Sequence, residues 1–367
     1  MKIVMTGGHM SPALSVIENL PQDWEVFFVG RKSSFEGDKS PSLEYQAVKS
    51  LNVPFIALPS ARLQRKFTIY TIPSLIKVPY VLSRSFRILR KIKPDVVLGF
   101  GGYISLPVCI AAYFLNIPVV IHEQTLQAGA ANKIIAKWAK MICVSWPSSK
   151  DFFPGKNVIL TGNPIRKEII DEFKVESSKS KVPTIYVTGG STGSHFINSL
   201  IENSLEKLLQ KYAVVHQTGD SKKYKDFDKL LEIKNKLPKN LAEKYTLAKF
   251  TQSDQVMSVL NKSALIVGRA GINTVTELLY LKKPCLLIPL PISGNSEQIE
   301  NALFIKGLGL AEVLEQNKIS IENFISKVNY MMDNIDKYKL SPGNENLIDK
   351  KAPEHIISVV EDVAKKK

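Results

Sequence analysis

The chain has 367 residues, 44% hydrophobic and 23% charged, with a formal net charge of +15. That length suits two domains of ordinary size, and the composition allows both to bury real cores. It argues against a disulfide-stapled or zinc-ribbon protein, because Cys109, Cys143 and Cys285 lie far apart, beside or within apolar runs, with no CxxC.

The elements alternate from the start. Apolar runs at 3–6, 26–29, 55–58, 96–99, 119–121, 141–144 and 158–160 predict strands. Helical patterns at 13–20, 43–51, 75–92, 107–115 and 132–139 fall between them. Such alternation means parallel βαβ units and a doubly wound sheet. The opening Met1-Lys2-Ile3-Val4-Met5 predicts a strand, not a signal peptide. No apolar run approaches the roughly 20 residues that span a bilayer. Reduced thiols and no leader fit a cytosolic chain. From Tyr45 to Pro94 there is no acidic residue, whereas Arg62, Arg65, Lys66, Lys77, Arg84, Arg87, Arg90, Lys91 and Lys93 fall there among Phe67, Tyr70, Tyr80 and Phe86. The segment from Arg62 to Lys93 therefore predicts a surface for anionic membrane lipid. No nucleic-acid module accompanies the positive charge.

A Lys- and Ser-rich break at 174–183 predicts a linker. Strand signals then recur at 184–188, 214–217, 245–248, 265–267, 285–288 and 310–313. Helical patterns lie at 198–209, 255–260, 273–281, 297–306 and 352–367. The domain reading is 1–165, then 166–350, then a terminal helix from 351 to 367.

Two echoes tie the halves together. Ile3-Val4-Met5-Thr6-Gly7-Gly8-His9 matches Ile185-Tyr186-Val187-Thr188-Gly189-Gly190-Ser191, and Val96–Gly102 is answered more weakly by Leu265–Gly271. Ligands of open α/β sheets sit at such carboxyl ends, so the site is expected in a cleft between two domains. His9 in the first turn is a candidate general base. Arg269 beside a helix start at Gly271 suits a pyrophosphate, and Glu277 suits a pair of ribose hydroxyls. Arg166 follows the last strand of the first half and could reach an anion. The turns lack the dinucleotide G-x-G-x-x-G and the P-loop lysine. His122-Glu123 alternates sides of a strand, which disfavours metal ligation. Asp226-Phe227-Asp228, in a Lys-rich stretch, is expected to be solvated surface.

In order and spacing these motifs resemble the MurG family of peripheral membrane glycosyltransferases. The resemblance rests on Thr6-Gly7-Gly8-His9 with Pro12, Gly99-Phe100-Gly101-Gly102-Tyr103-Ile104-Ser105, and His122-Glu123-Gln124 with Gly129 and Asn132. It continues with Gly162-Asn163-Pro164-Ile165-Arg166, Gly189-Gly190-Ser191, Arg269-x-Gly271 with Thr274 and Glu277, and Gln298-x-x-Asn301-Ala302. It implies a GT-B fold: two Rossmann-like, doubly wound parallel-sheet domains facing a cleft. It implies transfer of N-acetylglucosamine, with inversion, from UDP-N-acetylglucosamine to undecaprenyl-pyrophosphate-linked muramyl-pentapeptide at the cytoplasmic membrane face. Neither cofactor nor metal is implied. Arg166, Ser191, Phe250, Thr251, Arg269, Ile272, Asn273, Thr274, Glu277 and Gln298 would bind the donor. Thr6, Gly7, Gly8, Tyr103, Glu123 and Thr125 would lie on the acceptor or sugar side, with His9 as base.

Two positions depart from the family pattern, Thr125 after His-Glu-Gln and Glu297 before Gln298. Both leave the donor sugar open. A glycolipid synthase with another sugar or acceptor, a UDP-sugar 2-epimerase, and a noncatalytic membrane partner are the alternatives.

Overall fold

A computed structural model describes residues 1–32, 42–59, 71–171, 182–190, 193–251, 253–291, 296–344 and 346–366. The expected linker at 174–183 lies largely outside these residues, as do Ser191 and the first part of the basic segment. The chain divides into two compact units, one comprising Met1–Lys167 with Asp349–Lys367, the other Glu168–Ile348.

In unit 1, β1 (Lys2–Gly7), α1 (Met10–Glu18), β2 (Glu25–Gly30), α2 (Leu43–Ser50), β3 (Phe55–Ala57) and α3 (Thr71–Ile92) come first. They are followed by β4 (Val96–Phe100), α4 (Gly102–Phe114), β5 (Val119–Glu123), α5 (Ala130–Ile135), β6 (Met141–Val144) and β7 (Val158–Leu160). The seven strands are parallel in the order β3-β2-β1-β4-β5-β6-β7. Strands of such a sheet are covered on both faces, which is why they read as unbroken apolar runs. Ile3 and Met5 point into one buried layer with Phe28 and Cys143, whereas Val4 points into the other with Leu89, Val108 and Ile121.

A short α6 (Lys167–Asp171) straddles the boundary. Unit 2 runs through β8 (Thr184–Thr188), α7 (His195–Leu209), β9 (Ala213–Gln217), α8 (Asp226–Lys236), α9 (Lys239–Ala242), β10 (Tyr245–Ala248) and α10 (Ser253–Lys262). It continues with β11 (Ser263–Gly268), α11 (Ile272–Leu281), β12 (Cys285–Leu287), α12 (Glu297–Gly307), β13 (Ala311–Val313) and α13 (Ile321–Asp333). Its strands are also parallel, ordered β10-β9-β8-β11-β12-β13. The last helix, α14 (Ala352–Lys365), belongs to unit 1 and buries Ile356, Ile357, Val359 and Val360 in the layer that holds Ile3 and Phe28. All three cysteines are buried and unbridged.

Both sheets reverse direction between their first and fourth strands, β1 with β4 and β8 with β11. The two sequence echoes are these four strands. Each unit thus places its glycine turns at a topological switch point, where open α/β sheets bind ligands.

Candidate functional site

In unit 1 the switch-point edge is built from two facing glycine turns. A Cβ on Gly7 would lie 2.6 Å from the Cβ of Phe100, so only glycine lets β1 and β4 approach this closely. The Gly8 N–H donates to the Gly101 carbonyl at 3.1 Å, and Ser105 Oγ donates to the Thr6 carbonyl at 3.0 Å. Thr6 Oγ1 and the Tyr103 hydroxyl are buried there without a hydrogen-bond partner. His9 stands at the N-cap of α1, yet its side chain makes no capping bond. The imidazole is therefore not consumed by the helix. Burial lowers its pKa, and the Glu123 carboxylate opposes that shift. An imidazole held below its ordinary value is unprotonated at neutral pH and able to accept a proton.

The adjacent β5–α5 loop is a scaffold. Glu123 is 1% exposed. Its Oε1 accepts from the Thr125 N–H at 3.0 Å and from the Thr125 hydroxyl at 2.6 Å. Its Oε2 accepts from the Gly129 N–H at 2.8 Å and Asn132 Nδ2 at 2.9 Å. Glu123 and Thr125 thus spend their polar atoms on each other and on the loop. Burial pushes His122 down to about 4, while its Nε2 contacts the Gly162 carbonyl at 3.1 Å, which raises it, and nearby His9 lowers it further. Thr125→Val is expected to destabilise unit 1 by about 1.5–3 kcal/mol, since a buried carboxylate loses one of its donors. An earlier urea unfolding midpoint measures it; an unchanged midpoint would show that the hydroxyl holds nothing.

The corresponding edge of unit 2 carries several of the residues expected at a donor site, though not Arg166, which lies in unit 1. Gly193 has φ +74, and a Cβ there would overlap the Thr218 carbonyl, so the turn into α7 requires glycine. Arg269 follows β11. It donates from Nη1 to the Ile288 carbonyl at 2.9 Å and from Nη2 to Ser194 Oγ at 2.7 Å. Burial lowers its pKa to about 10, which leaves it charged at neutral pH. Gly271 is the N-cap of α11, with no side chain to occupy the free N–H groups of Ile272 and Asn273. Asn273 Oδ1 is buried without a partner. Thr274 and Glu277 are partly exposed on the first two turns of this helix. Gln298, the second residue of α12, accepts from the Leu290 N–H at 2.9 Å. Phe250 is 46% exposed just after β10. Arg166 lies on the unit 1 side of the chain crossing.

Of two residues that organise this edge, Asn301 belongs to the Gln298-x-x-Asn301-Ala302 motif and Gln217 was not singled out from sequence. Gln217, at the end of β9, accepts from the Thr251 N–H at 3.0 Å and donates to the Gly190 carbonyl at 3.2 Å. Asn301, fully buried, donates to the Ala270 carbonyl at 3.0 Å. The only sequence signal for Gln217 is a polar side chain at the carboxyl end of a strand. The reading of Asp226 as solvated surface is corrected. It is buried, accepts from Asn198 Nδ2 at 2.8 Å, and pairs with His195 Nδ1 at 2.7 Å. His195 also stacks on Tyr224, with ring centroids 3.8 Å apart. Among the described residues no group of three or more His, Cys, Asp or Glu could hold a metal ion.

Residues 3–144 match the glycosyltransferase family 28 N-terminal domain, and residues 184–357 the glycosyltransferase family 28 C-terminal domain. A UDP-N-acetylglucosamine–N-acetylmuramyl-(pentapeptide) pyrophosphoryl-undecaprenol N-acetylglucosamine transferase of Clostridium botulinum (strain Kyoto / Type A2) is 31% identical, covering 94% of this chain and 97% of that protein. The identically named protein of Clostridium tetani is 30% identical over 98% of this chain and 97% of its own. Among solved structures, MurG of Acinetobacter baumannii aligns with TM-score 0.72 at 23% identity, over 98% of this chain and 99% of that one. A UDP-GlcNAc 2-epimerase of Neisseria meningitidis aligns with TM-score 0.66 at 16% identity, over 99% and 100%. At such identities the structures speak for the fold alone, two Rossmann-like parallel-sheet domains of the GT-B class. The two domain matches and the near-full-length clostridial likeness go further, and by them the chain belongs to the MurG family of glycosyltransferases.

Proposed function

We propose that the chain transfers N-acetylglucosamine from UDP-N-acetylglucosamine to a lipid-linked, pyrophosphoryl-undecaprenol muramyl-pentapeptide, the step named in its clostridial relatives. The observation that carries this reading is that, in a chain so related, unit 1 holds at its switch-point edge a His9 whose pKa burial lowers, and unit 2 holds at its own edge Arg269 and the open N-terminus of α11. His9 takes the proton of the acceptor hydroxyl as that oxygen attacks the anomeric carbon. The bond from that carbon to UDP breaks as the new one forms, so the centre inverts. UDP leaves with its negative charge met by the Arg269 guanidinium and the N–H groups of Ile272 and Asn273. Fixed cations and dipoles aimed at a developing charge are a large term in such reactions. Glu277 holds the ribose hydroxyls, Phe250 and Thr251 flank the uracil, and Thr274, Gln298 and Arg166 complete the donor site. Ser191, assigned to the same site, lies outside the described residues. No cofactor enters this scheme.

The assay is direct. Purified protein is given UDP-N-acetylglucosamine and lipid-linked acceptor, and UDP release and glycolipid product are followed. Acceptor-dependent product supports the reading. Turnover of UDP-N-acetylglucosamine without acceptor would instead assign an epimerase, and preference for another UDP-sugar a different glycolipid synthase.

The lipid acceptor brings the membrane into the proposal. No helix among the described residues is long and apolar enough to cross one. On unit 1, Tyr80, Tyr113 and Phe114 are exposed, Phe114 at 66%. Phe114 of α4 packs against Phe86 of α3 at 6.3 Å. Arg84, Arg87 and Lys91 line a groove of about 210 Å³ with Tyr80 and Ile88 on the same helix. Cations interleaved with exposed aromatics suit the headgroup region of an anionic leaflet, and this supports peripheral docking at the cytoplasmic face. Replacing Arg84, Arg87 and Lys91 together by alanine is expected to weaken vesicle binding about a hundredfold, at about 1 kcal/mol per cation. Co-sedimentation with phosphatidylglycerol vesicles measures it, and equal binding by both proteins would remove this surface.

A further inference from the structure

Arg31 follows Gly30 at the carboxyl end of β2, on the strand paired with β1. Its guanidinium carbon lies 5.3 Å from the centre of the Tyr103 ring. Tyr103 is the second residue of α4, which follows β4, and β1 lies between β2 and β4 in the sheet. The contact therefore spans the strand whose carboxyl end carries Gly7, Gly8 and His9. Behind Arg31 stands Glu44, buried in α2, with Oε2 3.9 Å from Arg31 Nε and Oε1 accepting the Arg31 N–H at 3.3 Å. Burial pushes the Glu44 carboxyl up to about 7, and Arg31 pulls it only partly back. A guanidinium keeps its proton throughout this range, so the pair carries positive charge near neutral pH.

The proposed acceptor carries its pyrophosphoryl group on the same sugar as the attacking hydroxyl. That anion must lie within one sugar ring of the base. We propose that Arg31, held against the Tyr103 ring, binds the pyrophosphoryl group of the lipid-linked acceptor beside His9. This rests on the function proposed above and adds a residue to it. The arginine fork matches phosphate oxygens in pairs, and attraction to the face of the Tyr103 ring holds the guanidinium over that edge before the ligand arrives. Glu44 positions the residue by accepting its backbone N–H and is only partly ionised near neutral pH.

The test uses the full chain with Arg31→Gln, Arg31→Lys and Glu44→Gln. Initial rates are measured against acceptor and against UDP-N-acetylglucosamine. Arg31→Gln is expected to raise the acceptor KM about ten- to a hundredfold, with the donor KM unmoved. Arg31→Lys recovers part of that loss. Glu44→Gln keeps an oxygen for the Arg31 N–H but removes the part-ionised competing charge, and lowers the acceptor KM by about twofold at most near pH 7. Damage from Glu44→Gln equal to that from Arg31→Gln, with both KM values raised, assigns the pair to holding the end of β2 and overturns the proposal. A rise that vanishes with an acceptor lacking the peptide places Arg31 on a peptide carboxylate, which also overturns it. An active parent with an unchanged variant KM sinks Arg31 alone. An inactive parent sinks the proposed function, and this inference with it.

Discussion

His9→Ala is expected to reduce kcat by about 10²–10⁴-fold, the usual share of a positioned general base. UDP-N-acetylglucosamine affinity is expected to stay near that of the parent, because His9 belongs to unit 1 and the proposed donor residues of unit 2 are untouched. The side chain caps no helix bond, so its removal costs α1 little and the loss can be read as chemistry. The pH profile supplies a second signature. A base works only when unprotonated, so activity falls as pH drops through the His9 pKa. Burial lowers that pKa, so the acid limb of kcat/KM lies below the ordinary histidine value of about 6.5. Glu123 opposes the burial effect, so Glu123→Gln moves the limb lower still. Equal losses in kcat and donor affinity, or an acid limb left in place by Glu123→Gln, would reassign His9 to the turn.

Arg269→Ala carries the next largest effect, expected at about 10²–10³-fold in kcat/KM when a donor to developing charge is lost. The side chain has two separable duties. It joins Ser194, the N-cap of α7, to the Ile288 carbonyl at the end of β12, and it carries a charge on the edge where a diphosphate would leave. Arg269→Lys separates them, because lysine keeps the charge and loses the planar fork. If charge dominates, lysine recovers most of kcat/KM. If the brace dominates, lysine behaves like alanine and both variants unfold earlier in urea. Retention of parental kcat/KM by the alanine variant would exclude Arg269 from the donor site.

Much of this molecule is legible in its sequence. Among the described residues each of the thirteen strands overlaps an apolar run, because a strand buried on both faces, such as β1 or β4, has few polar positions to blur it. The echo of Thr6-Gly7-Gly8 in Thr188-Gly189-Gly190 marked both switch points, since each demands close backbone approach. Helix starts were less visible. The apolar pattern of α4 suggests Pro107, but the helix begins at Gly102, directly from the turn. The amphipathic α13 is poorly marked in the sequence, because its capping box uses Asn323 where Glu or Gln is the familiar signal. The partners of the residues that hold these turns together are hidden by sequence distance. Gln217 reaches Gly190 across 27 residues, and Asn301 reaches Ala270 across 31. Asp226 looked solvated among lysines because its partners His195 and Asn198 are absent from its local sequence.

The return of α14 to unit 1 has a consequence for biosynthesis. The first 167 residues leave the ribosome early, but their core layer still lacks Ile356, Ile357, Val359 and Val360. At about 5–20 residues per second, the whole of unit 2 is translated in the interval, a wait on the order of ten seconds or more. The half that is made first is therefore the half that is finished last. Until chain release, the apolar bed beside Ile3 and Phe28 stays open to chaperones, and a nascent chain that stops short of residue 352 never closes it.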